Sequence, residues 1–287
     1  SAGENATAAV ITPNRELARR VATELRRFGI RADDSGSRPL GDTAPATLLR
    51  LMIDTVCTPE EPVAIVSLLK HPLLYLSLPR DVVKRSAELV ELVAMRGGTG
   101  RPDIVNLGDL FEMRLTQLAE GRKPNWFSRL TEASIGEARD VLARIGQALE
   151  PLASLRDQPA VTLSEIARAS VLSLEALARQ EDESLYELYR GEAGETLARF
   201  LRELVETQSG ILVGLHEWPD VFGALIAGRM VKPQMGGDHR VFIWSPIEAR
   251  LQQVDTLVLG SLNEGGWPQV PSSDRFMSRM MKGELSL

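Results

Sequence analysis

The chain has 287 residues, 44% of them hydrophobic and 25% charged, a composition typical of folded globular proteins that excludes the disordered and low-complexity classes. Its formal net charge of −6 argues against a protein that binds nucleic acid over its whole surface, although local basic patches remain compatible with it. No apolar run approaches the roughly 20 residues that cross a bilayer, so we expect a cytoplasmic protein with no membrane contact.

The amino-terminal region predicts a strand, a helix and a second strand. Residues 8–12 form a short apolar run typical of a strand, and Pro13 and Asn14 mark the start of a helix over residues 15–28. Residues 30–32 predict the second strand. The apolar face of the helix and the glycine expected to end it are Leu17, Val21, Leu25, Phe28 and Gly29.

Charged side chains in this region allow more than one interpretation. Arg15, Arg19 and Arg26 recur at near-helical spacing, which favours an ordinary solvated helix face, with DNA contact by Arg15 as the alternative. Asp33 and Asp34 favour a turn or helix cap over a metal site, because no third carboxylate or histidine is near in sequence.

The middle of the chain, residues 47–228, predicts helices and no strands. The apolar periodicity indicates one helix at residues 48–56 and another that ends before His71 and Pro72. Asp81 is expected to cap a helix over residues 82–95. Further helices are predicted at residues 107–119, 134–149, 163–177, 185–207 and 219–228. Cys57 is the only cysteine, which excludes an internal disulfide and any all-cysteine metal or iron–sulfur site in these residues.

The carboxyl-terminal region predicts two strands, each followed by a polar loop. Residues 240–244 and 255–259 are short apolar runs typical of central strands covered on both faces. Arg250 and Gln252 follow the first strand, and Asn263 and Trp267 follow the second. Because ligands of open parallel sheets bind at the carboxyl ends of the strands, we expect the two loops to converge on one site.

This region resembles motif V of the UvrD/Rep superfamily of DNA helicases, in which a strand, a polar turn, a second strand and a Glu-Gly-x-x-Pro loop occur in that order. The likeness is greatest to AddB-type subunits of AddAB helicase-nucleases. Those subunits carry the Glu-Ala-Arg-Leu-Gln and Leu-Asn-Glu-Gly-x-Trp-Pro words found here at residues 248–252 and 262–268. Residues 33–40 resemble a further AddB-type sequence segment, and residues 68–73 resemble a segment found in the superfamily.

The resemblance implies an α/β fold with a large all-helical insertion. Residues 1–45 and 229–287 would be two halves of a RecA-like, P-loop NTPase-like domain of the helicase 2A type, with a parallel sheet that is incomplete at its carboxyl terminus. Residues 46–228 would be the inserted helical domain of the 2B type.

The implied function is DNA double-strand break repair by homologous recombination. An AddB-type subunit joins an AddA-type helicase-nuclease subunit, forms an exonuclease complex and contacts DNA, which we expect to be single-stranded. The parent complex would use ATP, Mg²⁺ and an iron–sulfur cluster, whereas we expect these residues to hold no cofactor, metal or catalytic residue.

The residues depart from an active helicase pattern. No Gly-Lys-Ser/Thr is present, and residues 97–102 lack both the lysine and the preceding strand that a phosphate-binding loop requires. No nuclease motif is present either. Gln252 stands where the superfamily has the glutamate that contacts nucleotide. The sequence therefore predicts no ATPase or nuclease activity for this chain by itself.

Each candidate DNA-binding residue has a structural alternative. Arg250 could hold a DNA phosphate or form a local ion pair with Glu248. Trp267 could stack on a base or anchor its loop against the sheet. Two functional alternatives also remain: part of an active superfamily 1 helicase, or a protein-interaction module without nucleic-acid contact.

Overall fold

The computed structural model describes residues 6–30, 32–34, 38–96, 102–121, 124–231 and 240–263. The chain divides into two compact units. Ser1–Ser37 with Lys232–Leu287 form the first, called here the sheet unit, and Arg38–Val231 form the second, called the helical unit. No helix in the described ranges combines the length and apolar character needed to cross a membrane.

The described residues form short strands and α-helices, and most of the helices lie between the first three strands and the last three. The strands are β1 (Ala8–Ile11), β2 (Asp33–Asp34), β3 (Arg38–Pro39), β4 (Val161–Thr162), β5 (Leu212–Val213), β6 (Met230–Val231), β7 (Val241–Trp244) and β8 (Thr256–Leu259). The helices are α1 (Arg15–Arg27), α2 (Ala44–Cys57), α3 (Pro62–Leu69), α4 (Arg80–Val90), α5 (Leu107–Glu120), α6 (Glu132–Ala153), α7 (Leu163–Ala178), α8 (Tyr186–Tyr189), α9 (Gly191–Val205) and α10 (Trp218–Ile226).

The sheet unit contains a four-stranded sheet in the order β2-β7-β1-β8, and every pairing in it is parallel. β1 lies between two strands from the far end of the chain, with Ala8 opposite both Val241 and Thr256. The predicted union of the two chain ends in one sheet is therefore confirmed, and the fold is α/β. Asp255 reinforces the union by accepting hydrogen bonds from the backbone N–H and the hydroxyl of Thr7, at 2.8 and 2.9 Å.

Three predictions for the sheet unit are wrong. The second strand lies at Asp33–Asp34 rather than at residues 30–32, so the two aspartates pair with β7 instead of forming a turn. Phe28, the C-cap residue of α1, is 79% exposed and does not join the buried side of the helix. β8 is an edge strand of the described sheet with all four side chains exposed, because β1 and β7 occupy the centre.

The helical unit is built around one large apolar core. α2 buries nine residues in its 14, and α6 packs against both α4 and α7. Trp218, at the start of α10, is 1% exposed and donates a hydrogen bond from its indole N–H to Ser170 at 3.0 Å. β3 pairs with β6 antiparallel, so the two ends of the unit lie side by side. This pairing places the unit boundaries at 37/38 and 231/232, whereas the sequence suggested 45/46 and 228/229.

Local sequence signals misplaced several details of the helical unit. α4 begins at Arg80, so Asp81 lies inside its first turn and pairs with Arg85 rather than capping the helix. Residues 91–95 continue α4 as a π-helix. The single helix predicted over residues 185–207 is α8 and α9, broken where Gly191 adopts φ +64°. β4 and β5 form a two-stranded sheet where no strand was expected.

A partly buried polar clamp joins three segments of this unit. The Arg156 guanidinium donates to both carboxylate oxygens of Asp103, at 2.6 and 3.0 Å, and to the Val56 carbonyl, at 2.7 and 3.1 Å. Val56 lies in the last turn of α2, where backbone carbonyls have no partner inside the helix. Burial raises the pKa of Asp103, but the hydrogen bonds and charge of Arg156 outweigh it and hold that pKa below its ordinary value.

His71 is a second buried polar group, at 7% exposure. Its Nδ1 accepts a hydrogen bond from the Leu73 backbone N–H at 3.2 Å, so the proton of the neutral ring sits on Nε2, 3.2 Å from the Thr47 hydroxyl. Burial, followed by the nearby charge of Arg80, lowers the pKa of His71 to about 4. The fold therefore holds this imidazole neutral.

Removing the Arg156 clamp is expected to destabilise the chain. Arg156→Lys leaves a cation but cannot serve both the Asp103 carboxylate and the Val56 carbonyl, so we expect a loss of about 1–3 kcal/mol in the free energy of unfolding. Urea unfolding followed by circular dichroism at 222 nm measures it. The control is Arg85→Lys, in an exposed pair with Asp81; an equal shift of the midpoint in both variants would contradict a special role for the clamp.

His71 is expected to make stability fall in mild acid. Its pKa in the folded chain lies below the ordinary value near 6.5, so the unfolded chain binds more protons at lower pH and stability declines as pH falls from 6.5 towards 4. The slope is at most about 1.4 kcal/mol per pH unit. Urea midpoints at pH 7 and pH 5 measure it. We expect the decline in stability to disappear in His71→Gln and to persist in His216→Gln. If the decline is unchanged in His71→Gln, groups other than His71 cause it.

Candidate functional site at the carboxyl edge of the sheet

The strands β1, β7 and β8 end at the same edge of the sheet. Ile11 lies opposite both Trp244 and Leu259, so the residues that follow these strands are neighbours. The Thr12 N–H donates to the Trp244 carbonyl at 3.1 Å, and the Gly260 N–H donates to the Ile11 carbonyl at 2.9 Å. Polar residues from both halves of the unit thus converge on what we call the carboxyl edge.

The loop after β1 presents Arg15. The Thr12 hydroxyl, on a buried side chain, accepts a hydrogen bond from the Asn14 N–H at 3.1 Å. Asn14 in turn caps α1, because its side-chain oxygen accepts from the N–H groups of Glu16 and Leu17 at 2.9 and 3.1 Å. Arg15 is the first helical residue and is exposed. The cap therefore fixes its backbone and leaves its side chain in solvent.

The loop after β7, residues 245–252, is held by its own hydrogen bonds and by one core contact. It contains a 3-10 turn, Glu248–Leu251. The Glu248 carboxylate accepts a hydrogen bond from the Ser245 N–H at 2.8 Å, and the Glu248 N–H donates back to the Ser245 hydroxyl at 3.4 Å. Ala249 packs against the small core of Ala9, Ile11 and Trp244. The turn is thus held at its start by hydrogen bonds and in its middle by apolar contact.

Arg250 extends from this turn into solvent. Among the described residues, none of its side-chain nitrogens has a carboxylate within ion-pair distance, so the local pair with Glu248 is not formed. Glu248 is used instead to cap its own turn. Gln252, which ends the turn, is also exposed. A guanidinium and an amide are therefore available to a ligand at this edge.

The loop after β8 approaches α1 closely. A Cβ added at Gly260 would lie 3.0 Å from Leu17 Cδ2, so a larger residue there would require the Leu17 side chain to shift. Ser261 then adopts φ +59°, which turns the chain at the edge. Asn263 is exposed at the end of the described segment. Trp267, in residues 264–268, lies outside the described residues.

Two apolar side chains at the carboxyl edge were missed by the sequence reasoning. Leu251 is 94% exposed and Ile247 is 77% exposed, although both belong to a turn whose alanine is anchored in the core. The sequence offered a signal, since the Ile-Glu-Ala-Arg-Leu run alternates apolar and charged residues. Only the position of the turn shows that its larger apolar residues point outward.

A cleft in the helical unit does not compete as a catalytic site. It has a volume of about 240 Å³ and is lined by Cys57, Arg156 and His216 among others. Arg156 is already engaged by Asp103 and Val56. Burial raises the pKa of the Cys57 thiol to about 12, so the thiolate nucleophile is not formed at neutral pH. Across the described residues no group of three or more histidine, cysteine or acidic side chains could hold a metal ion.

Comparison with known proteins identifies one distant relative and no family. No protein-family model matches the chain. An uncharacterized protein of Rickettsia bellii (strain RML369-C) is 26% identical to it over 103 residues. The aligned residues are 36% of this chain and 12% of that relative, which is therefore about three times as long.

The Glu248 cap is expected to control the order of the residue 245–252 loop. Glu248→Ala removes the acceptor of the Ser245 N–H, so we expect that amide to exchange hydrogen about three- to thirtyfold faster, as for loss of a capping interaction. Glu248→Gln keeps an acceptor oxygen and should preserve most of the protection. Hydrogen exchange followed by NMR measures both. Equal exchange in Glu248→Ala and the parent chain would show that the cap does not hold the loop.

Proposed function

We propose that the chain is part of an AddB-like subunit of a helicase-nuclease that processes DNA double-strand breaks for homologous recombination. In this proposal the sheet unit corresponds to a split RecA-like domain of the helicase 2A type, and the helical unit corresponds to the inserted 2B-type domain. Its role is to contact DNA, which we take to be single-stranded, and to support an AddA-type partner subunit in the cytoplasm.

One observation carries the proposal: a parallel sheet is assembled from both ends of the chain, with a large helical unit between its halves. That organisation is the one implied by the likeness of residues 248–252 and 262–268 to AddB-type wording. The distant relative is compatible with a longer parent protein, since it is about three times the length of this chain.

The carboxyl edge supplies the chemistry for a DNA contact. Arg250 carries an exposed guanidinium without a carboxylate partner among the described residues, and such a group binds phosphate through two parallel hydrogen bonds. Gln252 and Asn263 add exposed amides, which can donate to phosphate or sugar oxygens. Arg15 adds a second exposed cation at the same edge.

The proposal gives this chain no part in ATP hydrolysis. Gln252 has no carboxylate, and the sequence contains no Gly-Lys-Ser/Thr. ATP, Mg²⁺ and the iron–sulfur cluster are placed by the proposal elsewhere in the parent complex. The contribution of this chain is then to hold DNA while other parts perform the chemistry.

Arg250→Ala is expected to weaken binding to single-stranded DNA. Loss of one charge-assisted phosphate contact should raise the Kd for a fluorescein-labelled dT20 by about five- to twentyfold and reduce the slope of log Kd against log salt by about one. Fluorescence anisotropy at salt concentrations of about 50 to 200 mM measures both the Kd and the slope.

The matched control is Arg27→Ala, which removes the same charge from the other end of α1, where Arg27 pairs with Glu24. We expect it to leave the Kd for dT20 nearly unchanged. Equal weakening in the two variants would indicate a general charge effect. No salt-dependent binding of the parent chain would contradict the proposed function and favour a protein-interaction role.

A further inference from the structure

The outer edge of β8 is an apolar strand edge that the described sheet leaves open. β8 is the last strand in the order β2-β7-β1-β8. Leu257 and Val258 are each 51% exposed, and Leu259 is 46% exposed. Residues 256–263 contain no charged side chain. An apolar edge strand without charges pairs readily with another strand, because its backbone groups and its side chains are both available.

The backbone of β8 shows which of its groups face this open edge. The N–H groups of Thr256 and Gly260 donate to carbonyls on the β1 side, at 3.0 and 2.9 Å. Because the N–H and C=O groups of successive residues in a strand point to opposite sides, those of Leu257 and Leu259 point away from β1. Two donors and two acceptors therefore line the outer edge of β8.

The opposite edge of the sheet is protected against pairing. β2 is two residues long, and both residues are aspartates, Asp33 and Asp34. Two copies of this strand placed side by side would bring like charges together, which disfavours the pairing. Of the two edges of the described sheet, the β8 edge is therefore the one suited to a further strand.

We propose that β8 pairs with β8 of a second copy of this chain, antiparallel and centred on Val258, so that the two four-stranded sheets become continuous. The contact is symmetric, since the same surface of each copy meets its equivalent. The two carboxyl edges then lie at opposite ends of the joined sheet. This inference goes beyond the proposed function and does not depend on DNA binding.

The backbone of β8 is complementary to itself in this register. Leu257 of one copy lies opposite Leu259 of the second copy, and each such pair exchanges two N–H···O=C hydrogen bonds, as alternate pairs of an antiparallel ladder do. All the outward backbone groups of Leu257 and Leu259 are then used. Val258 lies opposite its own equivalent at the centre, where side chains of an antiparallel pair approach most closely.

The pairing also buries apolar side chains on both faces of the sheet. Leu257 and Leu259 lie opposite Ala9 and Ile11, and so share the face of the small apolar core to which those two residues belong. The leucines of the two copies form one apolar stripe that extends both small cores. Val258 and its equivalent form a pair on the other face. Removal of these side chains from water favours association.

Symmetry favours a second copy over a different protein as the occupant. Another protein would have to supply the same outward backbone groups and apolar side chains, whereas the second copy supplies them by rotation. The nearest acidic residue, Asp255, lies three positions from the centre, so the two Asp255 side chains stay apart. Four residues per copy bury less than the roughly 1,200 Å² of a stable interface, so the dimer should form only at high chain concentration.

A charge-exchange experiment tests the pairing and its register. Val258→Lys and Val258→Glu each place like charges opposite one another, so either variant alone should raise the dimer dissociation constant about tenfold or more. An equimolar mixture places a lysine opposite a glutamate and should restore association to within about threefold of the parent chain. Sedimentation equilibrium at total chain concentrations of about 10 to 300 µM measures the three cases.

Val63→Lys is the matched control, because it makes the same change at a valine that is 74% exposed in the helical unit. It should leave the dissociation constant unchanged. Val258→Thr should keep association within about threefold of the parent chain, since threonine retains the β-branched side chain favoured in strands. Recovery of association in the mixture would also show that both charged variants are folded.

Hydrogen exchange followed by NMR locates the contact within β8. The amides of Leu257 and Leu259 should exchange about threefold or more slowly as the chain concentration rises, because pairing gives them acceptors. The Thr256 amide, which already donates to the β1 side, should exchange at an unchanged rate.

The outcomes distinguish the second copy from other occupants of the edge. Association that persists in both charged variants would place the contact on another surface and overturn the proposal. Failure of the mixture to recover would overturn the antiparallel register centred on Val258. A parent chain that stays monomeric would also overturn the proposal, and protection of the Leu257 and Leu259 amides at every concentration would then identify another segment of the same chain as the occupant.

Discussion

The parallel pairing of β1 with β7 and β8 is the interaction on which the rest of the structure depends. Thr7 and Asp255, which hydrogen bond beside this pairing, are 248 positions apart in the chain. Closing so long a loop is entropically unfavourable, and the cost is moderated here because the intervening residues form a compact unit with adjacent ends. The β3–β6 pair provides that adjacency, since it joins Arg38 to Val231. In the chain, the helical unit is therefore a folded connection between the first two strands of the sheet and the last two.

The parallel direction of the strands also determines where polar side chains from different loops come together. Three strands end at one edge, so loops that are remote in sequence become neighbours through backbone hydrogen bonds at Thr12 and Gly260. The polar groups of these loops fall into two sets. Asn14 and Glu248 accept hydrogen bonds from the local backbone and so hold the chain in place. Arg15, Arg250 and Gln252, close to them in the chain, have exposed side chains. That separation between anchoring and presenting residues is what a preorganised binding surface requires.

The helical unit uses its polar groups differently. Arg156, Asp103 and His71 are partly or wholly buried and satisfied by partners within the unit. Pairing with Arg156 holds the pKa of Asp103 below its ordinary value, and burial lowers the pKa of His71. Perturbed groups often indicate active sites, but here each is engaged in joining segments of the chain. The groups left exposed lie instead at the carboxyl edge of the sheet, where Arg250 has no acidic partner among the described residues.

The sequence by itself predicted the helical middle and the strands at residues 240–244 and 255–259, because runs of apolar side chains indicate which segments are buried. Its resemblance to a helicase family implied the α/β class. The sequence also identified Arg250 and Gln252 as neighbours of a strand end. Tertiary structure alone decided that β8 lies at the edge, that the second strand is Asp33–Asp34, and that Glu248 caps its turn instead of pairing with Arg250. The order of the strands, the position of a short strand and the direction of a side chain depend on partners that are far away in the chain. The periodicity of apolar residues reflects local burial and does not specify those partners.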